Sequence, residues 1–228
     1  MLNSLIETSI LISIAAATLR IATPVLFAAL GEMIAERTGV YNMGLEGIML
    51  MGAFTAYLGA YQTDSLWVGV AVAMLTGSLI SLVFAFMVVT LKVEQIVTGL
   101  AINLLGAGLS IFWLRSAFAG KDAMPTIPFF STVPIPLLSD IPWLGAVLFN
   151  QKILTYVAFL AVPLLGYFLF RTRLGLELRC IGENPKALDT KGISVTVRQY
   201  GAVIFGGLMA GLGGAFLLAD PRLVLSPT

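Results

Sequence analysis

Residues 66–91 read LWVGVAVAMLTGSLISLVFAFMVVTL, 26 consecutive residues without Asp, Glu, Lys or Arg. A helix needs about 20 apolar residues, rising roughly 1.5 Å each, to cross about 30 Å of hydrocarbon, and this stretch is long enough. Outward from it, the uncharged runs 96–114, 153–170 and 199–219 meet or nearly meet the same length. A fifth run, 47–63, is shorter and follows the Gly-rich, charged segment 36–46, which predicts a helix that is broken or that begins inside the membrane. Residues 8–31 are interrupted only by Arg20 and predict one long tilted helix, with Pro24 available to kink it. The expectation is an all-α polytopic membrane protein with about six transmembrane segments.

Composition supports this and excludes much else. Of the 228 residues, 58% are apolar and 11% charged, with mean hydropathy +0.97. Soluble domains carry about 25% charged residues, so a soluble fold of this size could not hide so much apolar surface. Thirteen basic residues and a net charge of +1 give no clustered surface for a nucleic-acid backbone, so no nucleic-acid partner is expected and the bulk contact is membrane lipid. Cys180 is the sole cysteine, which excludes an intrachain disulfide, and histidine is absent. That absence removes His-ligated haem, His-containing zinc sites and Ser-His or Cys-His nucleophile pairs. Gly120-Lys121 is followed by Asp122 and lacks the rest of a nucleotide-binding Walker A loop, and no HExxH or GxSxG motif occurs. Catalytic residues, metals and cofactors are therefore not expected.

Charge sets the orientation. Residues 171–198 hold Arg171, Arg173, Arg179, Lys186, Lys191 and Arg198, six of the thirteen basic residues, so this loop is expected to be cytoplasmic. Counting back through the spans places 115–152 outside, 92–95 inside, 61–65 outside, 32–46 inside and the N-terminus outside. The outer loop carries Pro125, Pro128, Pro134, Pro136, Pro142 and Trp143, favouring extended backbone and an interfacial anchor over a folded domain. The N-terminus has no basic region before its apolar run, so no cleavable signal peptide is expected.

Two segments carry most of the polar information. In the inner loop, RTRLGLELRCIGENPKALDTKGISVTVRQY from Arg171, Asn184 is placed to cap a helix whose first residue is Pro185, where the missing N–H is harmless. The helix predicted over 185–191 stops at Gly192, which suits a left-handed C-terminal position, and Ser194 caps the next helix. So short a helix needs a docking partner or its own membrane helices to hold it. Near the N-terminus, GEMIAERTGVYNMGLEGIMLMGAFTAY from Gly31 sets Glu32, Glu36, Arg37, Asn42 and Glu46 beside apolar runs. Asn42 is a candidate cap, with Glu46 one turn inside near the positive end of the helix dipole. Further on, Gly99, Asn103, Gly106 and Ser110 share one helical face, with Gln95 a turn before. Two readings stand for Asn42, Glu46, Gln95, Asn103 and Ser110: residues lining a translocation pathway, or capping and packing between helices. Gly206, Ala210 and Gly214 form a small-residue face expected to pack.

ERTGVYNMGLEGIMLMGAF (36–54) together with RTRLGLELRCIGENPKALDTKGI (171–193) resembles the permease subunit of bacterial ABC importers, within the branched-chain amino-acid and simple-sugar permease family. It is most similar to the branch that imports purine nucleosides with a basic-membrane-protein type lipoprotein receptor. The resemblance spans nearly the whole chain and implies a single permease domain over 1–228 in the bacterial plasma (inner) membrane. It implies that 171–197 is a cytoplasmic coupling loop, with Glu183, Asn184, Pro185, Lys186, Ala187, Asp189 and Gly192 docking on a cytoplasmic ABC ATPase. The implied partners are that ATPase, a second permease subunit, an external solute-binding lipoprotein and a small-molecule solute. Family members usually continue through further helices beyond a position like Ala219, so the chain is expected to be a partial permease. Simple sugars, vitamin precursors and amino acids are alternative solutes. The rival classes are an ion-coupled secondary transporter or channel subunit built on Glu46 and Arg20, and a structural membrane subunit.

Overall fold

The computed structural model describes residues 2–119, 125, 130–134 and 144–218. In chain order the helices are α1 (Leu2–Glu36), α2 (Leu45–Thr63), α3 (Leu66–Ala85), α4 (Gln95–Ala117), α5 (Leu144–Leu148), α6 (Ile153–Arg171), α7 (Arg173–Glu183), α8 (Pro185–Asp189) and α9 (Val195–Leu218). A π-helical turn, Phe86–Thr90, prolongs α3. Two short strands, β1 (Thr132–Pro134) and β2 (Asn150–Lys152), pair antiparallel with Val133 opposite Gln151. The all-α polytopic class expected from the sequence is the observed one.

Among the described residues, five stretches are long and apolar enough to cross a membrane: Ile10–Glu36, Leu66–Thr90, Gln95–Ala117, Ile153–Arg171 and Val195–Leu217. The sixth expected segment is α2, which is less apolar and is one span more than these five. Its surroundings explain the difference, because α3, α4 and α9 all pack on it and little of it needs to face lipid. The expectation of a broken helix here is corrected: α2 runs without interruption from Leu45 to Thr63. The first segment is a single helix through Arg20 and Pro24, as expected, and continues past Gly31 to Glu36. Arg20 donates from Nε to the Ala16 carbonyl at 3.3 Å and borders a cleft of about 400 Å³ shared with Ser13, Thr132, Asn150 and Gln151. A guanidinium within an apolar run thus faces polar groups.

The bundle is wound around α9, which packs on α1, α2 and α3. Its small residues let backbones meet: Gly206 lies over Gly31, Ala210 is buried, and Gly214 rests on the Met49 carbonyl. The small-residue face is therefore a packing face, and van der Waals contact of this kind is what holds helices together in lipid. Around it Phe27, Ala73, Leu154, Ala158, Leu212 and Phe216 form a buried cluster. Leu75, Leu79, Leu104, Leu105, Leu160 and Leu164 point outward, as side chains in hydrocarbon should.

The segment between α4 and α6 holds one arrangement that the sequence reading did not anticipate. Tyr156 accepts from the Gln151 N–H and donates to the Val133 carbonyl, both at 3.0 Å, locking β1 to β2 at the head of α6. Pro134 at the end of β1 fits the expected extended backbone. Pro128, Pro136, Pro142 and Trp143 lie outside the described residues, as do residues 219–228, on which the expectation of further helices bears.

Candidate functional site

One end of the bundle gathers the basic 171–198 loop and the α1–α2 connector, residues 37–44. The loop begins with a helix the sequence reading missed. Thr172 opens α7 by donating to the Phe168 carbonyl at 2.6 Å and accepting from the Gly175 N–H at 3.1 Å. Gly175, Leu178 and Ile181 make its buried side, with charged residues opposite. Arg179 lies over the Phe170 ring, 5.1 Å from its centroid, and Arg198 of α9 pairs with Glu177 at 2.7 Å. Both partners of that pair are partly exposed, so it orients α7 more than it stabilises it.

Asn184 ends α7 and starts α8. Its N–H donates to the Cys180 carbonyl at 2.8 Å, while its own carbonyl accepts from Ala187 at 3.1 Å. The expected side-chain cap is not made, because the Ala187 N–H it would have bound is taken by the Asn184 backbone. Pro185 occupies the first helical position. Regular helix covers 185–189 of the expected 185–191, and a turn completes the rest. Gly192 adopts φ +73°, with its N–H donating to Asp189 and that of Ile193 to Leu188, so the left-handed stop is as expected. Leu188, 4% exposed, pins α8 to the bundle. Glu183, Asn184, Pro185, Lys186, Ala187, Asp189 and Gly192 are all exposed. Ser194 accepts from the Val197 N–H at 3.4 Å at the head of α9.

The connector is held by side chains from several helices. Glu32 of α1 accepts the Asn42 N–H at 2.6 Å. Gln95, at the head of α4, accepts the Tyr41 N–H at 2.6 Å and donates to the Gly39 carbonyl at 3.4 Å. Gln199 of α9 donates to the Thr38 carbonyl at 3.1 Å. Asn103 accepts the Gly47 N–H and donates to the Met43 carbonyl, both at 2.8 Å.

The expected role of Asn42 as helix cap is thereby corrected. Asn42 is 3% exposed and accepts from the Gly44 N–H at 2.9 Å, forming a tight turn, while Gly44 itself occupies the cap position of α2. The side-chain oxygen reaching the first turn of α2 comes from Asn103, 56 residues away. The glycines explain the approach of the two helices. A Cβ at Gly47 would lie 2.5 Å from the Ile102 carbonyl oxygen, and one at Gly106 would lie 2.6 Å from Gly47 Cα.

Among the five candidate pathway residues, Asn42, Gln95 and Asn103 therefore meet at the connector. Ser110 is buried farther along α4 and donates to the Ala107 carbonyl at 3.0 Å. Glu46 is exposed in the first turn of α2, with no polar partner among the described residues. Between connector and loop runs a cleft of about 540 Å³ bordered by Glu36, Arg37, Arg179, Glu183, Asn184 and Ala187. At its floor Gly182 meets the Arg37 carbonyl, where a Cβ would approach to 2.6 Å. Gly182 and Gln199 were missed as site residues, because neither belongs to a local pattern. Among the described residues no group of three or more His, Cys, Asp or Glu is placed to hold a metal ion.

The chain is 40% identical over 214 residues to the guanosine ABC transporter permease protein NupQ of Bacillus subtilis, covering 90% of this chain and 66% of the relative. It is 39% identical over 205 residues to a putative glucose ABC transporter permease protein of Haloferax volcanii, covering 88% and 61%. It is 36% identical over 200 residues to the nucleoside ABC transporter permease protein NupC of Lactococcus lactis, covering 85% and 63%. The chain thus spans a little under two thirds of the length of these relatives. No solved structure matches it significantly. The profile of the family described as branched-chain amino acid transport system / permease component matches residues 14–226. With its several apolar helices, the chain belongs to this permease family and is a multi-pass protein of the inner membrane.

Proposed function

We propose that this chain is the membrane-spanning subunit of an ATP-binding-cassette importer for a purine nucleoside, and that it performs no chemistry itself. The observation that carries the reading is the α7–α8 knob, capped at both ends, held by Leu188 and presenting Glu183, Asn184, Pro185, Lys186, Ala187 and Asp189 outward from the most basic end of the bundle. Such a knob suits docking on a cytoplasmic ATPase, and the excess of Arg and Lys around it agrees with a cytoplasmic position. Closure of an ATPase pair would push the knob and rock the bundle between outward and inward access. A second permease subunit and an external solute-binding lipoprotein complete the assembly.

The printed functions of the guanosine and nucleoside permeases support a nucleoside solute. Their similarity to the chain is matched by that of the glucose permease relative, which keeps a sugar as the second reading. Residues 1–228 act as one permease domain and 171–197 as its coupling loop. Gln95 and Asn103 have both ends of their amides on backbone groups, and Asn42 is buried with its Oδ1 on the Gly44 N–H, which leaves the exposed Glu46 as the pathway candidate best placed to meet solute. Its carboxylate can accept hydrogen bonds from ribose hydroxyls. The test is uptake of labelled guanosine, adenosine and glucose by the complete complex in proteoliposomes. Nucleoside accumulation that glucose does not compete supports the reading. Glucose accumulation alone transfers it to a sugar importer.

A further inference from the structure

We infer that the backbone contact between Gly182 and Arg37 is the joint through which movement of the α7–α8 loop reaches α2 and α4. The joint has work to do only if an ATPase docks on α8, as proposed above. A force applied to α8 must leave the loop somewhere. At the end of α7, Gly182 lies so close to the Arg37 carbonyl that a Cβ would stand 2.6 Å away, a distance at which something must shift. Arg37 opens the connector, and the connector is braced, because five of its residues each have a backbone group held by a side chain from outside it. Thr38 is held by Gln199, Gly39 and Tyr41 by Gln95, Asn42 by Glu32, and Met43 by Asn103. The same Asn103 amide also grips Gly47, within α2. Displacement at Gly182 is therefore delivered to the heads of α2 and α4 together, as a shift of a packed block. The ion pair of Glu177 with Arg198 tethers α7 to α9 alongside, and so favours sliding of α7 over its separation from the bundle.

The test is the complete complex in proteoliposomes, with Gly182→Ala, Gly182→Val and Gln199→Leu compared with wild type and with Gly166→Ala, where a Cβ meets nothing within 4 Å. Three quantities are read: ATPase copurifying with the chain, ATP hydrolysed per solute taken up, and the KM for solute. The expected result is ATPase bound and hydrolysing in every case. Gly182→Val should take up solute about tenfold more slowly at unchanged KM, a loss of rate without a loss of solute binding. Gly182→Ala and Gln199→Leu should fall between it and wild type, and Gly166→Ala should match wild type. Wild-type ATP consumption per solute in Gly182→Ala or Gln199→Leu overturns the joint. A raised KM with unchanged maximal rate also overturns it, by placing these residues at the solute. If Gly182→Val does not assemble, the two milder variants decide by the same readout. A wild-type chain that never copurifies with an ATPase would instead overturn the importer reading.

Discussion

At the scale of single residues, Asn103 shows how a polar side chain becomes tolerable in an apolar helix. Both ends of its amide find backbone partners, Met43 of the connector and Gly47 of α2, which offsets the cost of an amide in hydrocarbon. Its neighbours Leu104 and Leu105, 77% and 61% exposed, take the outward face. With Cys180→Ser as background, Leu105→Cys should react readily with a lipid-phase thiol probe and Asn103→Cys should not; the reverse pattern would place the face wrongly. Asn103→Leu removes a cap and a second hydrogen bond, and should lower stability by about 1–2 kcal/mol, read as an earlier thermal transition in detergent. Asn103→Asp keeps the oxygen that receives the Gly47 N–H and should recover part of the loss.

Among the elements, what was legible in the sequence is what local rules determine. Span lengths, Pro185 at the first turn of α8 and the left-handed Gly192 depend on neighbours a few residues away. The side-chain oxygen at the first turn of α2 comes from Asn103, which only the packing of α4 against Gly47 brings near, whereas local spacing points to Asn42. Helix α7 was hidden because its 11 residues are too short to span and carry the charges that mark the loop as basic, although its apolar and charged residues separate onto two faces. The β1–β2 pairing joins segments separated by a stretch with no pattern of its own. Two tests belong here. Ala187→Cys, again without Cys180, should crosslink to the ATPase and label from the cytoplasmic side alone; labelling only from outside would reverse the orientation. Gly192→Ala introduces a side chain at φ +73°, a strain of about 1 kcal/mol. It should fray α8 and weaken ATPase copurification while leaving the amount of chain in the membrane unchanged.

For the molecule as a whole, the prediction concerns the energy source. The chain has no histidine for a proton relay and no nucleotide-binding motif, and among the described residues Glu46 is the acidic group exposed in the first turn of a bundle helix without a polar partner. Uptake by the complete complex should proceed with internal ATP and no ion gradient, persist with an uncoupler and vanish when the ATPase catalytic site is disabled. Gradient-driven accumulation without any ATPase would mean an ion-coupled carrier, and Glu46→Gln would then abolish it. Should the ATPase reading hold, the position of Cys180 has a practical consequence. The single thiol of the chain borders the cleft that separates Arg37 from Asn184. A sulfhydryl-reactive fluorophore added to the unmutated complex would therefore attach, on this subunit, at one address beside the moving parts. Its emission could be followed through a nucleotide cycle in real time, giving a native gauge of when the inner end of the bundle opens and shuts.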